Sequence, residues 1–312
     1  MSRQATAQPA AIRLICSALF LAAAYLPAAC VAENLAVTFD DLPLNGALAP
    51  GMTPAGIVAK VLPILQKHRV PQVFGFINAK RIGTADGAAA LQAWVDGGQR
   101  VGNHGYSHLD LSAVPAATFL ADLQRNEAVL DKLSPTKDWH WFRYPYLHEG
   151  ERLEKRHAVR TALRESGYRI AQVTIDWEDY LWNSAYARCV AKHDSAALAW
   201  LRSSYLAAAS AYIDADRKMA ELVFGRTINH VLLLHLGAFS AEILPELFPL
   251  LQQQGFTLVT LEEAQKDPAY QSDPDGALHK GGSLLEQWMD VRRLQYPSVA
   301  PKPYKELEAI CK

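Results

Sequence analysis

Asp40 and Asp41 stand side by side directly after an apolar run, residues 35–39, and Leu42-Pro43 follows at once. The apolar run predicts a buried strand that ends in a loop. Two neighbouring carboxylates repel each other unless a cation holds them, and a divalent metal or a nearby basic side chain is the usual one. The pair therefore indicates either a cation site or an ordinary Asp-rich turn.

His104 and His108 place two imidazoles four residues apart. On one helical turn or a tight loop both rings can face one point, as they do when a metal takes two imidazole ligands. Such a pair alone is common and more often marks surface or packed histidines. With a carboxylate from another strand end it supplies three ligands and leaves positions for water and substrate, which is the layout of a catalytic metal.

Strands must bring these residues together, and the sequence predicts seven of them. They cover residues 35–41, 72–78, 99–103, 139–144, 169–174, 230–236 and 256–260, and helical segments separate most of them. This alternation is typical of a parallel sheet covered by helices, either open or closed into a barrel.

Reactive side chains recur at the ends of these predicted strands. Besides the aspartate and histidine pairs they are Arg143, Asp176 or Asp179, and His235. Because the carboxyl ends of parallel strands meet at one edge of the sheet, we expect these side chains to converge there. The recurrence is the main evidence for a site, since each residue alone is a weak signal.

Five short motifs appear in order along the chain: TFDD at 38–41, NHGYSH at 103–108, RYPY at 143–146, DWEDY at 176–180 and LLLHLG at 232–237. Together they resemble the motifs of the polysaccharide deacetylases, carbohydrate esterase family four, over roughly residues 35–265. The resemblance implies an α/β fold, a distorted (β/α) barrel with about seven parallel strands. We expect a single such domain over residues 33–312, with a mostly helical insertion at about 183–229.

The resemblance also implies a role for each matching residue. Asp179 is preferred to Asp176, because the earlier aspartate then falls at the start of the DxxD spacing. The implied roles are the catalytic base for Asp40, metal ligands for Asp41, His104 and His108, the partner of the base for Arg143, a backbone oxyanion donor for Tyr146, the partner of the catalytic histidine for Asp179, and the general acid for His235.

These roles suit the hydrolysis of an amide, which needs a polarised carbonyl, an activated water and a protonated leaving amine. We expect one divalent metal, zinc first, with cobalt, nickel or manganese as alternatives. The Arg143 charge should keep the pKa of Asp40 low. A nearby carboxylate should raise the pKa of His235, so that it carries a proton.

Composition limits the partners. Half of the 312 residues are hydrophobic, a fifth are charged, and the formal net charge is −1. The chain can therefore bury a sizeable core, and with no basic stripe it is not expected to bind nucleic acid. Oligomeric state is not visible in the sequence. The expected partner is an acetylated glycan.

The first 32 residues predict a secretory signal peptide. Arg3 and Arg13 precede an apolar stretch that ends in small residues, and cleavage after Ala32 would leave Glu33 first. Anchoring as a lipoprotein at Cys30 is the alternative. This apolar stretch is too short and too rich in alanine to predict a membrane span. We therefore expect no membrane span in the mature protein, which should be secreted or periplasmic after cleavage.

The mature chain keeps two cysteines, Cys189 and Cys311. In an oxidising compartment an even pair predicts one disulfide, which would tie the C-terminal tail to a loop near residue 189. Two unrelated thiols are the alternative.

The sequence thus predicts a secreted metal-dependent deacetylase that removes acetyl groups, foremost N-acetyl groups, from a carbohydrate such as chitooligosaccharide or peptidoglycan. One alternative is a hydrolase of a small cyclic amide, or of another non-peptide C–N bond, on the same fold. The other is a non-catalytic glycan-binding protein.

Overall fold

Strand β1 (Glu33–Asn45) is the centre of a seven-stranded sheet in the computed structural model, which describes residues 1, 33–134, 136, 138–277 and 281–312. Nine residues from Leu35 to Pro43 are buried. A strand buried on both faces is what a run of apolar residues without polar alternation predicts. The predicted signal peptide and Cys30 lie outside the described residues.

The strands after β1 are β2 (Phe74–Ile77), β3 (Arg100–Asn103), β4 (Trp141–Phe142), β5 (Arg169–Ile170), β6 (His230–Gly237) and β7 (Phe256–Val259). All strand pairs are parallel. The order is β5-β4-β3-β2-β1-β6, and β7 pairs with the first residues of β1. Beyond β5, Ile175 forms a bridge with Leu232 of β6, at the other end of this order, so the sheet curls towards closure. The predicted distorted (β/α) barrel with about seven parallel strands is confirmed.

Helices cover the sheet, and most of them lie between consecutive strands, as the alternation in the sequence predicts. In chain order the helices are α1 (Pro54–Lys67), α2 (Ala85–Asp96), α3 (Ala116–Leu133), α4 (Leu153–Glu165), α5 (Leu181–Ala191), α6 (Ser195–Phe224), α7 (Ser240–Gln253), α8 (Leu261–Ala264), α9 (Leu284–Arg292) and α10 (Tyr304–Ala309). No helix in the described ranges is both long and apolar enough to cross a bilayer.

Helices α5 and α6 occupy most of the segment predicted as an insertion. Their buried side chains, among them Trp182, Leu201 and Tyr205, join the main hydrophobic core that includes Phe39 of β1. The helical pair is therefore packed into the same core as the sheet.

The predicted disulfide between Cys189 and Cys311 is present. Cys189 is fully buried within α5, so the prediction that it lies in a loop is wrong. Around it, the Arg188 guanidinium donates to the carbonyl oxygens of Leu307 and Ile310, at 2.6 and 3.2 Å. The disulfide and these bonds fix the end of the chain to α5.

Candidate active site and metal centre

The two aspartates lie where β1 becomes irregular. The pairing register of β1 shifts between Phe39 and Leu42 on one side and between Asp40 and Asn45 on the other. Asp41 has a left-handed backbone, with φ of 65°. Adjacent side chains of a regular strand point to opposite faces, but here both carboxylates line one cavity. Strain of this kind persists where the surroundings enforce it, and it concentrates at functional sites.

Asp41, His104 and His108 form a cluster with metal-ligand chemistry. Their ligand atoms all lie within 4.8 Å of one another. Oδ1 of Asp41 is 3.4 Å from Nε2 of His108 and 3.8 Å from Nε2 of His104. This buried oxygen has no hydrogen-bond partner among the described residues. A buried acceptor without a donor is costly, so the unused oxygen between two imidazoles fits a bound cation.

The second oxygen of Asp41 is held by protein. Oδ2 accepts a hydrogen bond from Nδ2 of Asn45 at 2.7 Å, and Nη2 of Arg81 lies 3.3 Å away. Burial alone would raise the pKa of Asp41, but the positive charges of neighbouring side chains, His235 foremost and Arg81 among them, outweigh it and lower the pKa to about 2. Asp41 is therefore an anion whose free oxygen faces the histidines.

His104 is set in the tautomer that a metal ligand requires. Its Nδ1 lies 2.8 Å from the carbonyl oxygen of Arg143, an acceptor, so Nδ1 carries the proton and Nε2 keeps its lone pair. Burial holds the pKa of His104 well below its usual value, and burial also lowers the pKa of His108. Two neutral imidazoles and one carboxylate form a ligand set that suits zinc and related divalent ions.

Asp40 lies between the cluster and Arg143. Nη1 of Arg143 is 3.2 Å from Oδ1 of Asp40, and Oδ2 is 3.6 Å from Nε2 of His104. The buried guanidinium also donates to Thr38 Oγ1 and to the carbonyl of Ala171. The expectation that Arg143 keeps the pKa of Asp40 low is wrong. Burial outweighs the guanidinium and raises the pKa to about 6, which places Asp40 near the range of a general base.

His235 and Asp179 form a tightly bonded pair. Nδ1 of His235 is 2.7 Å from Oδ1 of Asp179, and the backbone N–H of His235 donates to Oδ2 at 2.9 Å. Burial alone would lower the pKa of His235, but the charge and hydrogen bond of Asp179 raise it to about 9. The imidazole is thus protonated at neutral pH, as a general acid requires. In β1 and β6, Asp40 and His235 are register partners.

Asp176, the alternative to Asp179, has a different position. Its Oδ1 accepts the backbone N–H of Glu178 at 2.7 Å, and its side chain lines the cavity. Burial raises its pKa to about 7. The structure thus places Asp179, and not Asp176, on the imidazole of His235.

Tyr146 contacts the candidate metal cluster through His108. The residue is 57% exposed, and its ring meets the ring of His108 edge-on, with centroids 4.4 Å apart. Its backbone is left-handed, with φ of 59°, inside the short helical turn Pro145–Leu147. No acceptor among the described residues takes its N–H, so this donor is available as the resemblance implied.

The carboxyl ends of the strands surround a cavity of about 550 Å³, and some of its walls were not predicted. Asn45, four residues after Asp41, carries a weak sequence signal. The lining residues that follow the last predicted strand carry no sequence signal, because only the tertiary structure brings them to the cavity. The lining residues outside the five motifs are Asn45, Arg81, Leu147, His148, Gly281, Gly282, Glu286 and Lys302.

Residues 31–171 match the family model described as polysaccharide deacetylase. This match confirms the resemblance to the polysaccharide deacetylases, with the first three motifs inside the matched residues. The motifs that contain Asp179 and His235 follow the matched part. A comparison with curated proteins found no match.

Among solved structures, a polysaccharide deacetylase from Bacillus cereus is 18% identical, with a TM-score of 0.50, and the alignment covers 73% of this chain and 91% of that one. A pseudoenzyme of carbohydrate esterase family four from Bacillus anthracis is 17% identical with a TM-score of 0.51, over 75% of this chain and 66% of that one. A peptidoglycan deacetylase from Bacillus subtilis is 20% identical with a TM-score of 0.48, over 76% of this chain and 93% of that one. At identities of 18% and 17%, the similarities to the Bacillus cereus and Bacillus anthracis structures show the fold alone.

Proposed function

We propose that this protein is a secreted, metal-dependent deacetylase that releases acetate from an N-acetylated carbohydrate such as chitooligosaccharide or peptidoglycan. The observation that carries the proposal is the free Oδ1 of Asp41 beside the Nε2 atoms of two neutral histidines. The proton-carrying His235–Asp179 pair and the buried Asp40 line the same site. The family match supports the reaction class.

Asp41, His104 and His108 would hold one divalent ion, with zinc as the first candidate. When bound, such an ion polarises a carbonyl and lowers the pKa of water. Asp40 takes the proton from the attacking water, and Arg143 stabilises the carboxylate form of Asp40. Water oxygen then bonds to the acetyl carbon. The N–H of Tyr146 donates to the oxygen that becomes negative.

The C–N bond then breaks, and the leaving nitrogen needs a proton. His235 supplies it from Nε2, because Nδ1 is bonded to Asp179. Asp179 orients the ring and stabilises its charged form. The products are acetate and an amino sugar, and the enzyme regains its starting protonation when the proton on Asp40 passes to His235 or to solvent.

The test is acetate release from a panel of acetylated glycans, with and without a chelator. We expect activity that the chelator removes and zinc restores. Asp40→Asn should lose about a hundredfold or more of kcat while it keeps its metal. Asp96→Asn, at an exposed position on α2, is the matched control and should behave as wild type.

Three outcomes contradict the proposal. Acetate release that is unaffected by chelator or by Asp40→Asn rules out the assigned mechanism. Hydrolysis of cyclic amides without any acetate release favours the alternative substrate class. Stable glycan binding by a protein that takes up no metal favours the non-catalytic alternative.

Secretion has its own test. We propose cleavage after Ala32, so the mature protein purified from its native host should begin with Glu33. A mature chain that begins with a lipid-modified Cys30 would support the anchored alternative.

A further inference from the structure

The loop of residues 176–180 carries Asp179 and contains Glu178, whose backbone has an unusual conformation. Glu178 is a non-glycine residue with a left-handed backbone, φ 57°. This conformation is unfavourable for a glutamate and persists only where surrounding contacts enforce it. One contact is local, the hydrogen bond from its N–H to Asp176. Others come from the far end of the chain.

The C-terminal segment (residues 281–312) reaches the Glu178 carboxylate with two side chains. Nζ of Lys302 is 2.8 Å from Oε2 of Glu178, and the hydroxyl of Tyr304 donates to the same oxygen. The Lys302 side chain is 10% exposed, and its Nζ lies 4.4 Å from the ring centroid of Tyr212 on α6. A largely buried cation in this setting needs its anion, so the ion pair is held in one geometry.

The C-terminal segment is itself firmly attached. The disulfide joins Cys311 to Cys189, and Arg188 binds the carbonyls at the end of α10. Arg188 and Cys189 belong to α5, which begins at Leu181, directly after the loop of residues 176–180. The segment therefore braces the loop and the helix that continues from it.

The same segment also contacts the opposite side of the cavity. A side chain at Gly281 would lie 2.1 Å from the carbonyl oxygen of Tyr146 and 2.3 Å from the ring of His148, so the backbone abuts the RYPY motif. The N–H of Leu284 donates to the carbonyl of Val173 at 2.7 Å. The C-terminal segment thus forms one wall of the cavity and contacts both the loop of residues 176–180 and the RYPY motif.

We propose that the C-terminal segment is a working part of the active site, and that Lys302 is a positioning residue that acts through Glu178 to fix residues 176–180 and hence Asp179 beside His235. This inference rests on the proposed function. It assigns a catalytic effect to a residue about 120 positions after the loop and outside all five motifs.

The test compares kcat and KM for Lys302→Met, which removes the cation and keeps the aliphatic stem against Tyr212. We expect kcat to fall about tenfold or more with KM within about twofold, because a small misplacement of a proton donor slows the reacting step. Lys302→Arg keeps the charge and should restore most of kcat. Glu178→Gln should resemble Lys302→Met, and the double variant should lose no more than either single one, because both act through one pair.

The matched control is Lys312→Met. Lys312 pairs with Glu308 at 3.1 Å in the same segment, but this ion pair is exposed. Tyr304→Phe removes one hydroxyl at an exposed position and keeps the proposal testable if Lys302→Met does not fold. It should lower kcat severalfold.

Two results overturn the inference. One is a folded Lys302→Met variant with wild-type kcat, or a loss no larger than that of Lys312→Met. The other is a rise in KM at constant kcat, which would make Lys302 a substrate contact.

Hydrogen exchange of residues 176–181 separates failure of this inference from failure of the proposed function. Even if wild type released no acetate, exchange there should accelerate in Lys302→Met and not in Lys312→Met.

Discussion

His104 and Arg143 are joined by one hydrogen bond, from Nδ1 of the imidazole to the carbonyl oxygen of Arg143 at 2.8 Å. The backbone of Arg143 thereby orients a candidate metal ligand, while its guanidinium holds the candidate base Asp40. The candidate metal ligand and the candidate base are consequently positioned by the same short stretch after β4. Outer contacts of this kind are expected to matter nearly as much as the ligands themselves.

Asn45 offers a direct test of such an outer contact. Asn45→Ala removes the donor to Oδ2 of Asp41 and should weaken zinc binding about tenfold to a hundredfold, because the carboxylate loses its orientation. Competition with a chromogenic chelator measures the affinity. Gln92→Ala is the matched control, since Gln92 also donates to a carboxylate four residues away, but on an exposed face. Equal zinc affinities of both variants and wild type would show that Asp41 needs no such support.

Asp179→Asn tests the charge on His235. Asp179 raises the pKa of His235 to about 9. In the proposed mechanism the protonated form of His235 is the active one, so activity should persist up to that pH and decline above it. Without the carboxylate the pKa falls, the imidazole is neutral at pH 7 to 8, and the alkaline limb of the kcat profile moves to lower pH. At neutral pH we expect a loss of about a hundredfold or more. A smaller kcat with an unmoved alkaline limb would mean that Asp179 only orients the ring.

The strand-end residues were predictable because a parallel sheet brings the ends of its strands together whatever their distance in sequence. Asp40, Asp41, His104 and His235 meet for this reason. The lengths of β4 and β5 were overestimated. Each has two residues, since the chain leaves the sheet at Arg143 and Ala171 to form the site and the curl of the barrel.

The pKa of Asp40 and the wall formed by the C-terminal segment were not predictable in this way. The first depends on the balance between burial and a nearby guanidinium, and residue spacing gives the partner but not the burial. The second depends on where residues 281–312 fold back. Lys302 lies in a turn-like, proline-flanked stretch with no pattern that indicates a cavity.

His230 should make the protein sensitive to acid. It is fully buried, with Nδ1 3.2 Å from Thr174 Oγ1. Its Nε2 makes no hydrogen bond among the described residues and lies 3.9 Å from Oε1 of Glu33. Burial outweighs this carboxylate and lowers the pKa of His230 from 6.5 to about 3. Between these two pH values the unfolded state binds more protons than the folded state. The free energy of unfolding therefore falls as the pH drops from about 6.5 to 3, and this contribution is constant above 6.5.

Urea unfolding of His230→Leu at several pH values measures this effect. The variant should be less stable at pH 7, because it loses the bond to Thr174, but its stability should depend less on pH below 6.5. His193→Gln, at an exposed position, is the control and should keep the wild-type slope. A parallel slope for His230→Leu and wild type would place the acid sensitivity elsewhere.

The disulfide gives a prediction that separates stability from catalysis. It closes a sequence separation of 122 residues, and loss of such a link typically costs about 2–4 kcal/mol of unfolding free energy. The double variant Cys189→Ala/Cys311→Ala should therefore unfold at lower urea concentration. Because the bond also anchors the segment that carries Lys302, kcat should fall even where the protein remains fully folded. The effect on kcat should resemble that of Lys302→Met, with an unchanged zinc content.

Treatment with a reductant should lower kcat of the wild type and leave the double variant Cys189→Ala/Cys311→Ala unaffected. A double variant that is less stable but has full kcat would show that the remaining contacts of Arg188 hold the segment in place without the bond.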